Sequence, residues 1–316
     1  MKKPLYFVLV ILVLIGLTLI SMIRLDVSVE ELKPQYANEY SKFMRMDGMD
    51  VHFRDEGEGI PLILIHGISS SLHTWDGWAE ELQGNFRIIR LDLPGFGLTG
   101  PNANQDYSVE NYVAFIKSFL DRLEIDSCYM AGSSLGGYIT WNVAEAHPDL
   151  VKKMILLDAA GYPFSSETTP TIFKVAQFPM APFLNKLTPR FVLAESVNDV
   201  YGDDTKVTDA VIDRYYNLNL REGNRDAFLD VVNNLQFVQF QKLKTIKTPT
   251  LIMWGEKDIW VAPESANRFK ADLSNSELIM YSGVGHIPME EIPEQTAADA
   301  LDFLLKDLAN VAADFN

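Results

Sequence analysis

The chain carries several short, unbroken apolar runs: PLILIHG, FRIIRLDLPG, SCYMAGS, KMILLDA, TLIMWGEKD and ELIMYSG. Runs without polar alternation read as strands buried on both faces. Helical patterns lie between them. In SVENYVAFIKSFLDRL, residues Val109, Tyr112, Val113, Ile116, Phe119, Leu120 and Leu123 recur at three and four, with Ser108 as N-cap. Strands alternating with helices require crossover connections, so the expected fold is α/β, a mostly parallel sheet with helices on both faces. Upstream, KFMRM and VHFRDEG read as two strands turning at Asp47-Gly48.

One stretch breaks this rhythm. Residues 162–245 contain no buried-strand run, are punctuated by Pro163, Pro170, Pro179, Pro182 and Pro189, and then turn helical in DAVIDRYYNLNL and RDAFLDVVNNLQFVQF. The expected organisation is a core of 41–161 and 246–316 with a helical insertion, 162–245, over the sheet. The insertion is rich in Phe164, Phe173, Phe178, Met180, Phe183 and Phe191. Of these, Phe173, Phe178, Met180 and Phe183 are the expected lining of a substrate pocket, against the plainer reading of a small helical core.

The N-terminus differs from the rest. After MKK, residues 5–23 hold no charge, 19 residues being about enough to span a bilayer as a helix. No small-residue cleavage site follows. The expectation is a membrane anchor over 1–23 with a polar tether at 24–40. Lys2 and Lys3 would stay cytoplasmic and the remaining chain would lie outside, periplasmic in a Gram-negative cell. The alternative is a cleaved signal peptide and secretion.

The net charge of −16 argues against nucleic acid as a partner. The single cysteine, Cys128, excludes an intramolecular disulfide and sits in an apolar run, where a buried inert thiol is expected. The five histidines show no metal spacing, so no metal site is expected.

Chemistry enters at MAGSSLGGYITW. In the frame G-x-S-x-G, Gly132 and Gly136 flank Ser134, and shifting the frame to Ser133 destroys it. Between a strand and a helix this pattern marks a sharp turn. It lifts the serine hydroxyl above the sheet and brings the two flanking residues too close for a Cβ. A serine nucleophile needs a base. His286 in YSGVGHIPMEEIP follows the last strand run, at a carboxyl end of the sheet where sites form. The base needs an orienting acid. Asp258 ends the preceding strand, Asp158 in LLDAAG is its rival, and Glu256 is a weaker one. An oxyanion needs N–H donors. Leu135 at the helix start and Ile68 after LILIHG are the candidates, with His66 a structural brace for that loop.

The motifs LILIHG, RLDLPGFGLT, GSSLGG, WGEKD and GHIPMEEIP, spread in order over residues 43–310, resemble the α/β-hydrolase family with a helical cap. The resemblance implies an eight-stranded sheet with its second strand antiparallel. It places the family's nucleophile on Ser134, its acid on Asp258, its base on His286, and its oxyanion donors on Ile68 and Leu135. Members with an aspartate nucleophile cleave epoxides and haloalkanes, and Ser134 argues against both. The serine members that it resembles are esterases and lipases, and hydrolases that split carbon–carbon bonds of ring-fission products. The expected function is hydrolysis of a small-molecule or lipid ester without a cofactor. The rivals are a C–C hydrolase and a non-catalytic binding protein on the same scaffold.

Overall fold

Each of those apolar runs forms a strand. The computed structural model describes residues 2–164, 169–234 and 236–306, apart from the side chains of residues 2–6, 8, 15, 19, 183 and 184. The strands are β1 (Ser41–Met46), β2 (Met49–Glu56), β3 (Pro61–Ile65), β4 (Arg87–Leu91), β5 (Cys128–Ser133), β6 (Val151–Leu157), β7 (Thr250–Gly255) and β8 (Ser276–Tyr281). They make one eight-stranded sheet in the order β1-β2-β4-β3-β5-β6-β7-β8. β2 runs antiparallel to β1 and β4, and the pairings from β4 to β8 are parallel. The β1–β2 turn is Asp47-Gly48, both at positive φ (52° and 82°), the conformation that a two-residue hairpin demands.

Helices α1 (Lys2–Met22) and α2 (Val29–Tyr36) precede the sheet. Between its strands lie α3 (Asp76–Leu82), α4 (Val109–Arg122) and α5 (Leu135–Ala146). The cap, inserted between β6 and β7, holds α6 (Thr171–Ala176), α7 (Ala181–Leu184), α8 (Arg190–Asn198), α9 (Asp209–Asn219) and α10 (Asn224–Asn234). α11 (Glu264–Asp272), α12 (Pro288–Glu291) and α13 (Pro293–Leu305) complete the described chain.

Alternation along each central strand feeds two apolar layers. Ile63 and Ile65 of β3 pack with Ile116 and Phe119 of α4 and Ile139 of α5. Leu62 and Leu64 pack with Trp78 of α3 and Phe303 of α13. Buried on both faces, the central strands need no polar alternation. β8 departs from that expectation: it is the edge strand, and only Tyr281 is fully buried.

The N-terminal expectations need correction. α1 covers the segment expected to span a membrane, yet among the described residues no helix is long and apolar enough to do so. The membrane anchor at 5–23, and the extracytoplasmic location resting on it, are withdrawn.

Residues 24–40 are not a free tether either. The Arg24 N–H donates to Lys186 O at 2.8 Å, Val27 bridges Arg221, and Asp26 pairs with Lys186 and Arg225, all on the cap. Ser28 caps α2 by accepting the Glu31 N–H, and its hydroxyl donates to the Glu31 carboxylate at 2.9 Å. This S-x-x-E pattern was present in the sequence as a helix-start signal. Leu32 and Tyr36 then bury against Leu98 and Leu218.

Candidate active site

Ser134 stands between β5 and α5 at φ 54° and ψ −116°, a strained conformation for a residue with a side chain. The sharp turn explains the glycine frame. A Cβ on Gly132 would lie 2.2 Å from Gly136 O. The loop after β3 runs against the same serine, since a Cβ on Gly67 would sit 3.0 Å from Ser134 Cβ. Ile68 follows in that loop, and its N–H has no hydrogen-bond acceptor among the described residues. Leu135 opens α5, so its N–H has no acceptor within the helix. His66 braces the loop from below. Its Nδ1 faces Gly67 O at 2.7 Å and its Nε2 accepts the Leu93 N–H at 2.9 Å. Full burial lowers its pKa and favours the neutral ring that this bonding requires.

The loops after β7 and β8 bring Asp258 and His286 together. His286 Nδ1 lies 2.8 Å from Asp258 Oδ2, and both residues are buried. Asp258 Oδ1 accepts the N–H groups of Trp260 and Val261 at 2.7 and 2.9 Å. The carboxylate is thus fixed by its own turn on one side and by the imidazole on the other. The indole of Trp260 stacks on the imidazole with centroids 5.8 Å apart. The His286 N–H donates to Val200 O at 2.8 Å, which ties the histidine loop to the chain leaving α8.

Two glutamates after the histidine complete this tie, and sequence reasoning missed both. Glu291 accepts the N–H groups of Gly202 and Gly285 at 2.9 and 2.8 Å. Glu290 accepts the hydroxyls of Tyr201, Tyr215 and Thr74 and pairs with Arg214. The adjacent acids in PMEEIP were the available signal, but Tyr201, Gly202, Arg214 and Tyr215 come from the cap, far away in sequence.

Asp158, the rival acid, lies beside the pair: the ligating atoms of Asp158, Asp258 and His286 are all within 4.8 Å of one another. Those are metal-site dimensions, but Asp258 Oδ2 and His286 Nδ1 are turned on each other. Glu256 is exposed. Cys128 is fully buried in β5, and burial pushes its thiol up to about 12. The native protein is therefore expected to resist alkylation at neutral pH, becoming modifiable only on unfolding. Rapid native alkylation measured by intact mass would contradict that burial.

Three cavities meet near Ser134. One of about 50 Å³ is lined by Ser134, His286, Ser69, Ser196, Tyr215 and Trp260. Another of about 20 Å³ is lined by Ile68, Ser134, Leu135, Phe164, Phe173 and Trp260. A larger one of about 440 Å³ runs into the cap between α6, α8 and α10, with Phe178 on its wall. It shares Ser69, Leu193, Ser196 and Trp260 with the first. Phe173 and Phe178 thus face cavities. Met180 is 48% exposed and lines none of the three. The side chain of Phe183 lies outside those described. A groove of about 850 Å³ between the 202–206 segment and β8 is lined by neither Ser134 nor His286.

The family model described as alpha/beta hydrolase fold matches residues 60–293, most of the chain. The chain belongs to the α/β-hydrolase family. This α/β hydrolase is 29% identical over 265 residues to the uncharacterized hydrolase YugF of Bacillus subtilis, covering 82% of this chain and 96% of the relative. It is 27% identical over 260 residues to 2-hydroxy-6-oxo-2,4-heptadienoate hydrolase of Pseudomonas putida, covering 78% and 90%. Among solved structures it is similar to a putative lipase from Acinetobacter baumannii, with a TM-score of 0.76 and 26% identity over 91% of this chain and 99% of that one. The proteins it resembles thus include both a putative lipase and a dienoate hydrolase.

Proposed function

We propose that this α/β hydrolase cleaves carboxylic esters through Ser134, His286 and Asp258. The observation that carries the reading is the placement of the strained Ser134 and the Asp258-bound His286 on one cleft that opens toward a large, mainly apolar cavity. Ser134 Oγ attacks the ester carbonyl while His286 Nε2 takes its proton. Asp258 holds Nδ1–H and stabilises the imidazolium. The N–H groups of Ile68 and Leu135 receive the oxyanion. Collapse expels the alcohol, which takes the proton from His286. Water, deprotonated by the same histidine, then releases the acid and regenerates Ser134. These steps call for no cofactor.

Carbon–carbon hydrolysis would use the same three residues. The heptadienoate in the Pseudomonas putida relative's name is an anion, and burying it calls for a cationic partner. Neither cleft touching Ser134 is lined by Lys or Arg among the described residues. Lys174 and Arg225 line only the larger cap cavity, and Arg225 is paired with Asp26. The immediate surroundings of Ser134 therefore suit a neutral ester. A non-catalytic binder would have no use for a strained serine next to an acid-bound imidazole.

The test is a p-nitrophenyl ester series of rising acyl length, run beside a ring-fission dienoate. Turnover of the esters with none of the dienoate is expected, and the reverse pattern would overturn the reading. The apolar cavity adds a second expectation. Phe173→Ala and Phe178→Ala should move the preference toward longer or bulkier acyl groups. The ratio of kcat/KM between neighbouring substrates should change by roughly tenfold, the effect of one methylene in an apolar pocket. An unchanged profile in both folded variants would assign these side chains to the cap core alone.

A further inference from the structure

Asp158 and Asp258 leave the ends of β6 and β7, which are neighbours in the sheet. Their carboxyl groups therefore meet behind the imidazole, within the same 4.8 Å. Asp158 is wholly buried and its backbone sits at φ 45°, an unusual conformation for a non-glycine residue. Its Oδ1 accepts the Gly255 N–H at 2.9 Å, while its Oδ2 meets no donor. Asp258 cannot supply one, being an acceptor toward Trp260, Val261 and His286.

A buried oxygen left without a donor beside a second carboxylate is costly unless it carries a proton. The surroundings agree. Burial and then the charge of Asp258 raise the Asp158 pKa well above the usual carboxylate range. Glu291 acts in the same sense and the Gly255 N–H opposes it. Tyr281, from β8, and His286 are the other titratable groups in this neighbourhood.

We infer that Asp158 is a positioning residue: it carries a proton on Oδ2 and donates it in a hydrogen bond to the Asp258 carboxylate, keeping that carboxylate turned toward His286 Nδ1. The inference rests on the proposed roles of Ser134, His286 and Asp258. It makes Asp158 a neutral partner of the acid, not its substitute.

The experiment compares Asp158→Ala with Asp158→Asn in the full chain. Alanine removes the donor and should lower kcat by about 10- to 100-fold with KM little changed. Asparagine keeps an acceptor for Gly255 and places an N–H toward Asp258, so it should recover most of that loss. The pH profile separates neutral from ionised. An ionised Asp158 would hold the proton on the imidazole. Replacing it by Asn would then move the acidic limb of kcat/KM to lower pH, by about one unit. A neutral Asp158 predicts that the limb stays in place. The infrared C=O stretch of a protonated carboxylic acid should also be present at neutral pH and missing in Asp158→Asn.

A shifted acidic limb, an absent C=O band, or an asparagine variant as impaired as the alanine variant would each overturn the inference. If alanine does not fold, the asparagine profile and the infrared band still decide. Failure of the underlying triad would show separately, as wild-type protein not labelled at Ser134 by a fluorophosphonate.

Discussion

Replacing Ser134 by Ala is expected to abolish covalent labelling by a fluorophosphonate and to lower kcat by roughly four to six orders of magnitude, the usual cost of deleting a nucleophile from an interdependent triad. The fold should survive. Alanine loses only the hydroxyl, and no packed apolar group is removed. The control is the adjacent serine. Ser133 ends β5, is 1% exposed, and has a hydroxyl with no hydrogen-bond partner among the described residues. Ser133→Ala should keep labelling and most turnover. Labelled Ser134→Ala protein, located by peptide mass, would move the nucleophile elsewhere.

The second large effect is expected for Asp258→Asn, about four orders of magnitude in kcat. The reason lies in the turn. Backbone N–H groups of Trp260 and Val261 occupy Oδ1. Asparagine must keep its carbonyl oxygen there, which turns its NH2 toward His286 Nδ1. Two donors cannot face each other, so the imidazole must put its proton on Nε2, the atom that has to accept from Ser134. Asp158→Asn causes no such reversal. Steady-state kinetics on the two folded variants should therefore rank Asp258→Asn far below Asp158→Asn. The opposite ranking would make Asp158 the orienting acid.

The central strands, α4 with its Ser108 cap and the Ser134 turn were legible because their causes are local. An unbroken apolar run has few places to go except a strand covered on both faces. The Gly132–Gly136 spacing reflects a backbone approach within five residues of chain. α2 was also legible in principle, through Ser28 and Glu31, but its docking was not: Leu32 and Tyr36 find Leu98 and Leu218 only after folding. The reading of residues 5–23 as an anchor rested on hydropathy, the preceding lysines and the missing cleavage site, and the described helix did not sustain it.

The sequence favoured Asp258 over Asp158 through the family resemblance. Both residues end apolar strands, and no local signal shows how the two carboxyl groups meet. The sheet order makes β6 and β7 neighbours and sets the two carboxyl groups side by side. The turn at 258–261 then offers its N–H groups to Asp258, while burial and the nearby charge oppose ionisation of Asp158. The cap followed the same division. Its place in the chain was written in prolines and a missing strand pattern. The cavity it forms with Ser69 and Trp260, and the Glu290 and Glu291 ties from the histidine loop, depend on residues far apart in the chain. Chain chemistry determined which groups were available for catalysis. Long-range packing decided which pairs meet and, through burial, which protonation state is favoured.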